Sequence, residues 1–515
     1  MGLFDFIGPA SGLLFTLENI IWINLGVFIG CVFAAIPGLS VILCIILFLP
    51  VTYTMKAIPG MMFLLGIYCA GGYGGSVSAI LINTPGTPHA AATMLDGHPL
   101  SKMGRTKAAL KIALYASTFG GIFSALVLLF LGPQVAKISA QLGTAEYFMV
   151  CLFGMTIIAG VSGKSLVKGI IAACLGLLIS CVGADPMTSY DRFTFGVHRL
   201  YLGLDLAVTL IGLFALVEII GKAELKRSEL NLHAGKIGND DGKITKDEYK
   251  RMLRPVLIGS LIGSCVGIVP GTGASEASWF SYNTAKNMSK HPEEFGHGSV
   301  EGVAAAESAN NAVCGATLIP LLTLGIPGDG VTALLLGAFV LHGIQPGPTM
   351  FTKQGVMAYT IIVGCLVANV LLAPLGLGMT RIVAKIVQVR YTYLAPVIIM
   401  FCFAGAFAAT GNTKELILCA GILIFSYILT VLDIDNTPLM LGMILEDIME
   451  QNFVTASMSY DRNYSIFLTR PISAVILIIT IVLLVSMIRV NRRVAKLNEE
   501  QEAQMASEHA KMENA

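Results

Sequence analysis

Charge is scarce in this chain. Only 13% of its 515 residues are Asp, Glu, Lys or Arg, against 55% hydrophobic residues, and the mean hydropathy is +0.76. A soluble globular protein carries about a quarter charged residues. With so little charge there is no polar outer face for the many apolar segments, which excludes a large soluble helical protein. The charge is also balanced: 33 Lys and Arg against 32 Asp and Glu leave a net +1, which argues against a nucleic-acid partner.

Other absences narrow the field further. The opening MGLFDFIGPA has no basic residue, and the first Lys is Lys56. A cleavable signal peptide needs a positive start, and MGLFDF lacks the Ser or Thr of a myristoylation site. The first span is therefore expected to be integral, with an outside N-terminus. The 11 cysteines stand singly in apolar segments without C-x-x-C or Cys/His spacing, so they read as small buried apolar residues. No G-x-x-x-x-G-K-[ST] occurs, hence no ATPase signature. No H-E-x-x-H, no His pair at i,i+4 and no intramembrane Asp pair is visible, so an intramembrane enzyme lacks its parts.

What is present is long apolar sequence. Val41–Leu49, Ile112–Leu131, Gly169–Val182, Tyr359–Leu377 and Ile472–Ile488 carry no charge. Counting one span per ~20 residues gives roughly 11 to 13 apolar segments, an all-α polytopic membrane protein. The long hydrophilic interruption, Lys222–Arg254, divides the chain near its middle. The expected organisation is a first transmembrane repeat at 1–221, a cytoplasmic linker at 222–254 and a second repeat at 255–453. A final span at 454–488 and a polar cytoplasmic tail at 489–515 complete it. Within the linker Asn239, Asp241, Gly242, Ile244 and Glu248 match EF-hand positions, but the first position is Ile237, so a solvated turn is the better reading.

The repeats rest on four Pro-Gly sites in two matched pairs. GVFIGCVFAAIPG at Gly26–Gly38 and GSLIGSCVGIVPG at Gly259–Gly271 share five of 13 positions at an offset of 233. NTPGT at Asn83–Thr87 and GIPGD at Gly325–Asp329 lie 242 apart. Gly26-x-x-x-Gly30 and Gly259-x-x-x-Gly263 allow close helix contact, and the helix breaks follow at Pro37, Gly38, Pro270 and Gly271. Broken backbone at membrane depth is tolerated only inside protein or along a cavity, and paired breaks in two halves point to a transporter site. Broken helices or re-entrant hairpins are expected there. Basic residues switch sides between the halves: Ser101–Lys111 carries four and Pro346–Met357 only Lys353, whereas Gly132–Gly143 has only Lys137 and Arg381–Arg390 three. That flip is what inverted repeats require.

The polar groups near the second pair are the site candidates, because intramembrane polar groups are costly. Ser76, Asn83, Thr84, Pro85, Gly86 and Thr87 in the first repeat are expected to bind substrate. So are Gly271, Thr272, Thr323, Gly325, Pro327 and Gly328 in the second. Glu307, Asn310, Asn311, Asp329 and Glu276 are expected to serve a coupling cation. Lys and Arg are nearly absent from the apolar segments, so an anionic substrate would be held by helix N-termini with hydroxyl and amide donors. The freed carbonyls could coordinate Na+ or the carboxylates accept H+, and no other cofactor is called for. A channel-like pore for a small solute stands beside the carrier as an alternative, as does the intramembrane enzyme.

Two long strings carry a family resemblance: GGSVSAILINTPGTPHAAATMLDGHPLSKMGRTKAAL at Gly74–Leu110 and FGHGSVEGVAAAESANNAVCGATLIPLLTLGIPGDGVTALLLGAFVLHGIQPGP at Phe295–Pro348. With them the chain resembles the large membrane subunit of the tripartite tricarboxylate transporters, TctA-type, from about Gly26 to Phe453. The resemblance implies secondary uptake across a bacterial inner membrane by a multi-pass protein. It implies a periplasmic solute-binding protein, a small membrane subunit, a carboxylate substrate such as a tricarboxylate, and a Na+ or H+ gradient. Three positions depart from the pattern: Glu276, Asp329 and His89 stand where small residues are usual. Two extra carboxylates repel a polyanion unless protonated or paired with a cation, which leaves the identity of the carboxylate open.

Overall fold

The computed structural model describes residues 5–37, 39–161, 165–185, 187–223, 242–386 and 391–489. Gly38, the linker residues Asn239 and Asp241, and the tail from 490 onward lie outside the described residues.

In chain order the helices are α1 (Ile7–Leu14), α2 (Leu17–Ala35), α3 (Val41–Thr52), α4 (Ala57–Ile82), α5 (Ala91–Lys102) and α6 (Thr106–Ser139). Next come α7 (Thr144–Val161), α8 (Leu166–Ser180), α9 (Leu206–Leu210), α10 (Val217–Ala223), α11 (Lys246–Ile268) and α12 (Ala274–Met288). Then follow α13 (Val300–Leu324), α14 (Gly330–Leu341), α15 (Met350–Lys353), α16 (Gly355–Ile386), α17 (Tyr391–Thr410) and α18 (Lys414–Val431). The last are α19 (Asn436–Ser459), α20 (Ile466–Thr469) and α21 (Pro471–Arg489). A two-residue antiparallel ladder, Gly183–Ala184 with Asp191–Arg192, is the sheet found among the described residues. Eight helices there are long and apolar enough to cross a membrane, and five apolar helices are shorter. The 12 residues of α3, and likewise of α14, reach about 18 Å, little more than half a hydrocarbon core. This is an all-α polytopic membrane protein.

Local chemistry sets the helix ends. Thr16, Ser40 and Ser299 cap α2, α3 and α13 with side-chain oxygens on the third backbone N–H. Thr245 and Glu248 form a reciprocal capping box that starts α11. At the far ends, α4 stops at Asn83 (φ 56°) and α13 at Gly325 (φ 67°), both in the left-handed conformation that terminates helices.

The chain forms two compact units. The first comprises Met1–Gln141 and Leu204–Ile428, the second Leu142–Gly203 and Leu429–Ala515. In the first unit α4 is buried along its whole apolar window. It is apolar all round, as a helix enclosed by protein must be. Small residues let its neighbour approach: a Cβ on Gly26 or Gly30 of α2 would strike the backbone of Phe63 or Ile67 on α4. A Cβ on Gly259 or Gly263 of α11 would likewise strike the backbone of Ala305 or Ala309 on α13. Helix α6 packs on α13 in the same manner, through Gly120 against Ser308 and Gly315 against Ser124. Contacts of this kind are the packing currency of membrane helices, which gain no hydrophobic drive from one another in lipid.

The second unit is built on α7, α8 and α19. Gly176 of α8 faces the backbone of Leu439, and Gly442 of α19 that of Ala173. Rings of Phe148, Phe453 and Phe467 cluster with centroids 5.2–5.4 Å apart. Arg192 binds Glu450 through both guanidinium ends at 2.7 and 2.9 Å, and Arg470 binds Glu146 at 2.6 Å.

Close packing at Gly30 makes a prediction. Gly30→Leu lowers stability by about 1–3 kcal/mol or more, because the neighbour is backbone and cannot give. Gly12→Leu, with open space around it, leaves the detergent melting temperature near wild type.

Candidate functional site

Four starts of helical backbone converge in the first unit on one cavity of about 230 Å³. Its lining includes Ser40 and Val41 at the head of α3, Thr87, Pro88 and His89 at the turn that leads into α5, Gly273–Ser275 at the head of α12, and Asp329–Val331 at the head of α14. Tyr68 and Gly72 of α4 and Asn310 of α13 close the remaining wall. No Lys or Arg lines it among the described residues. The size is below that of a drug-like pocket and suits a small solute.

The sequence explains why backbone meets backbone here. Gly271, at φ +83°, donates its N–H to the carbonyl of Gly328 at 2.8 Å, so the two loops of the second half are joined directly. Gly328 in turn lies against Thr317, with no room for a Cβ. In the first half Gly86 donates to Gly75 O at 3.0 Å and presses on the carbonyl of Ala34, the penultimate residue of α2.

Both unusual carboxylates sit on helix starts. Asp329 caps α14: its Oδ1 accepts from Thr332 N and Oγ1, each at 2.7 Å, and its Oδ2 accepts from Tyr68 OH at 3.0 Å. The Tyr68 hydroxyl also bonds Thr317 Oγ1 at 2.8 Å. Glu276 is exposed and accepts from Gly273 N at 3.0 Å, holding the start of α12. Negative charge at these ends is favoured by the helix dipole. His89 is half-buried in the cavity lining and forms no ion pair with either carboxylate.

A second polar centre surrounds Glu307 on α13. The carboxylate is fully buried and accepts hydroxyl protons from Ser76 of α4, Thr93 of α5 and Ser117 of α6, the last at 2.6 Å. Beside it, Asn310 donates to Gly72 O at 3.2 Å and Asn311 to Cys69 O at 3.0 Å. The Asn311 Oδ1 and the Thr87 Oγ1 are buried without a hydrogen-bond partner. A third buried carboxylate, Asp96 of α5, accepts at one oxygen from the N–H groups of Gly296, Gly298 and Ser299 at 2.8, 2.9 and 2.9 Å.

The predicted residues therefore divide. Thr87, Asn310 and Asp329 line the cavity. Gly86, Gly271 and Gly328 shape the loops that feed it. Ser76 belongs with Glu307 rather than with the cavity. Thr272 and Thr323 spend their hydroxyls on Val269 O (2.8 Å) and Ile319 O (2.7 Å). Asn83, Thr84, Pro85, Gly325, Pro327, Pro37 and Pro270 lie in the turns, outside the lining. Sequence reasoning does not single out Tyr68, Ser40, Thr93 or Ser117. Tyr68 and Ser40 are lone polar groups in apolar sequence, the signal that marks Glu307, whereas Ser117 stands beside Thr118 and Thr93 close to Asp96.

Long apolar helices enclosing polar groups and a small interior cavity define a multi-pass membrane protein. The chain belongs to the tripartite tricarboxylate transporter TctA family, whose model matches residues 20–441. It is a component of a membrane transporter. It is similar to a protein of Agrobacterium vitis described as an uncharacterized 52.8 kDa protein in the TAR-I ttuC' 3' region, at 36% identity over 89% of this chain and 91% of that one. A second Agrobacterium vitis protein, described as an uncharacterized protein in the TAR-II ttuC' 3' region, is 40% identical over 42% of this chain and 89% of its own length. No solved structure matches the chain.

The hydroxyl cage gives a direct test. Ser117→Ala strips one donor from a buried carboxylate and lowers stability by about 1–3 kcal/mol, measured by thermal unfolding in detergent. Ser139→Ala, on the same helix but bonded only to Ala136 O, changes it little.

Proposed function

We propose that the chain is the large transmembrane subunit of a binding-protein-dependent secondary transporter. It takes up a carboxylate by Na+ or H+ symport across the bacterial inner membrane. A periplasmic solute-binding protein delivers the substrate, and a small membrane subunit accompanies this one. The observation that carries the reading is the convergence of four helical starts on one small cavity without Lys or Arg. Backbone N–H groups and positive dipole ends attract an anion without a formal cation in the protein.

The same cavity bears on coupling. Asp329 and Glu276 already occupy two of these helix starts. A carboxylate entering beside them adds negative charge in a low dielectric, and a co-bound Na+ or a proton offsets it. Symport follows from that balance, and it favours a substrate of few carboxylates over citrate. Glu307, with Asn310 and Asn311 beside it, is the proposed coupling centre. It is the buried carboxylate one helical turn from the cavity wall.

Inverted repeats are part of the proposal. Ala35 and Ile268, which end α2 and α11, stand 233 apart, as do Val41 and Ala274, which begin α3 and α12. Ile82 and Leu324, which end α4 and α13, stand 242 apart, as do Pro88 and Gly330, which begin the turn before α5 and α14. Asn311 donates to Cys69, its own mate at the offset of 242. A contact between mates is what a two-fold axis through the α4–α13 crossing produces.

Orientation follows from the faces. Arg105 pairs with Glu248 at 2.6 Å and Lys111 with Gly242 O at 3.0 Å, so the basic α5–α6 turn and the linker share one face. The other end of α6, about 50 Å away, shares a cleft with Phe6, Pro348 and Phe351. The basic face is assigned to the cytoplasm.

Two measurements test this. In proteoliposomes with the partner subunits, Thr87→Val raises KM about tenfold, as loss of a hydrogen bond to a charged ligand does. Thr323→Val leaves uptake near wild type, and Glu307→Gln flattens the Na+ or H+ dependence. Counterflow at wild type separates a carrier from a pore. For topology, the exposed Cys174 and Cys265 are replaced by Ser, and Lys102→Cys and Lys353→Cys are introduced singly. An impermeant maleimide should label them from opposite sides; labelling from one side refutes inversion.

A further inference from the structure

A second cleft, of about 390 Å³, lies between the start of α11 and the end of α12, away from the cavity described above. Its charged lining is Lys250, Arg251, Arg254 and Lys290, against Asp247 and Glu301. Arg251 is already committed, to Glu301 at 2.9 Å and to Glu294. Lys250, Arg254 and Lys290 are exposed and have no ion pair among the described residues. Four cations against two carboxylates leave the lining positive.

Part of the lining is of another kind. Pro255, Ile258 and Met288 are apolar, and the first two lie where α11 passes from KDEYKRMLR into VLIGSLIG. Immediately outside, Leu253, Leu257 and Leu261 are 64%, 51% and 57% exposed on α11, and Phe280 is 60% exposed on α12. Leucines at this spacing make one continuous apolar stripe running away from the cations. Water gives no reason for such a stripe, whereas acyl chains do. The cations mark the headgroup level and the stripe marks the hydrocarbon.

We propose that this cleft binds an anionic phospholipid, with the phosphate headgroup between Lys250, Arg254 and Lys290 and the acyl chains along Leu253, Leu257 and Leu261. A free phosphate satisfies the cations but leaves the stripe unused. A zwitterionic lipid satisfies the stripe but brings its own cation to the cluster. An anionic lipid matches both, and basic clefts at the end of a membrane helix favour such headgroups.

The test is native mass spectrometry of the purified full chain, titrated with phosphatidylglycerol, phosphatidylcholine or inorganic phosphate. Phosphatidylglycerol should be retained in preference to phosphatidylcholine. The triple variant Lys250→Gln/Arg254→Gln/Lys290→Gln should weaken its retention about tenfold or more, given the worth of each basic residue near a membrane surface. A charge-matched triple elsewhere, Lys102→Gln/Lys137→Gln/Lys353→Gln, should retain it as wild type does. Lys250→Arg/Lys290→Arg, which keeps the charge, should also retain it; an unchanged melting temperature in lipid-free detergent shows that each variant is folded. Equal loss in both triples means surface charge alone attracts the lipid and overturns the site. Wild-type retention by the first triple, or equal retention of the two lipids, overturns it as well. Displacement of the lipid by millimolar phosphate would identify a phosphate site and overturn the lipid assignment.

Discussion

A chain that breaks its helices inside an apolar slab must find partners for every backbone group it frees. The rest of this molecule depends on how that requirement is met. The loops ending at Gly271 and Gly328 hydrogen-bond to each other, and Gly86 bonds back to Gly75. Such contacts need backbones to approach closely, which is why glycine and alanine dominate the facing surfaces of α2, α4, α11 and α13. The apolar residues fill volume, but the small ones decide the geometry. Once the loops are held, the helices that follow them begin around one space, where Ser40, Asp329 and Glu276 cap three of the starts.

That space is largely apolar, with a few hydroxyl, amide and carboxyl groups and no Lys or Arg among the described residues. Under the proposed reading an anion there is held by backbone dipoles and hydroxyls rather than by a lysine, and acidic caps such as Asp329 moderate the attraction. The hydroxyl cage of Glu307 applies the same economy to a carboxylate: three O–H donors from three helices satisfy it, with no Lys or Arg. At Glu307 and Asp329 alike, the carboxylate is satisfied by groups that carry no charge.

Much of this was legible in the sequence because its signals are chemical rather than statistical. Asn83–Thr87 and Gly325–Asp329 advertise helix ends through Pro, Gly and Asn, whose backbone preferences hold in any solvent. Glu307 stood out because a carboxylate in an Ala-rich helix has no bland reason to be there. Ser117 and Thr93 did not, since a hydroxyl can bond its own helix and commonly does, as Thr323 and Ser139 show. Ser76 is expected to bind substrate with Thr87, but it lies inside α4 and meets Glu307, whereas Thr87 lies past the end of that helix and reaches the cavity. The pairing of segments into two compact units depends on contacts between residues hundreds apart, which hydropathy does not record.

Asp96 has a mechanical meaning. One of its oxygens holds the amides of Gly296, Gly298 and Ser299 just ahead of α13, so α5 and the head of α13 are riveted at a single atom. Sliding them apart would break three charge-assisted bonds together and strand a buried carboxylate. The two helices come from different halves of the chain, yet at this rivet they form one lever arm. Any motion that keeps these bonds carries α5 and the head of α13 together.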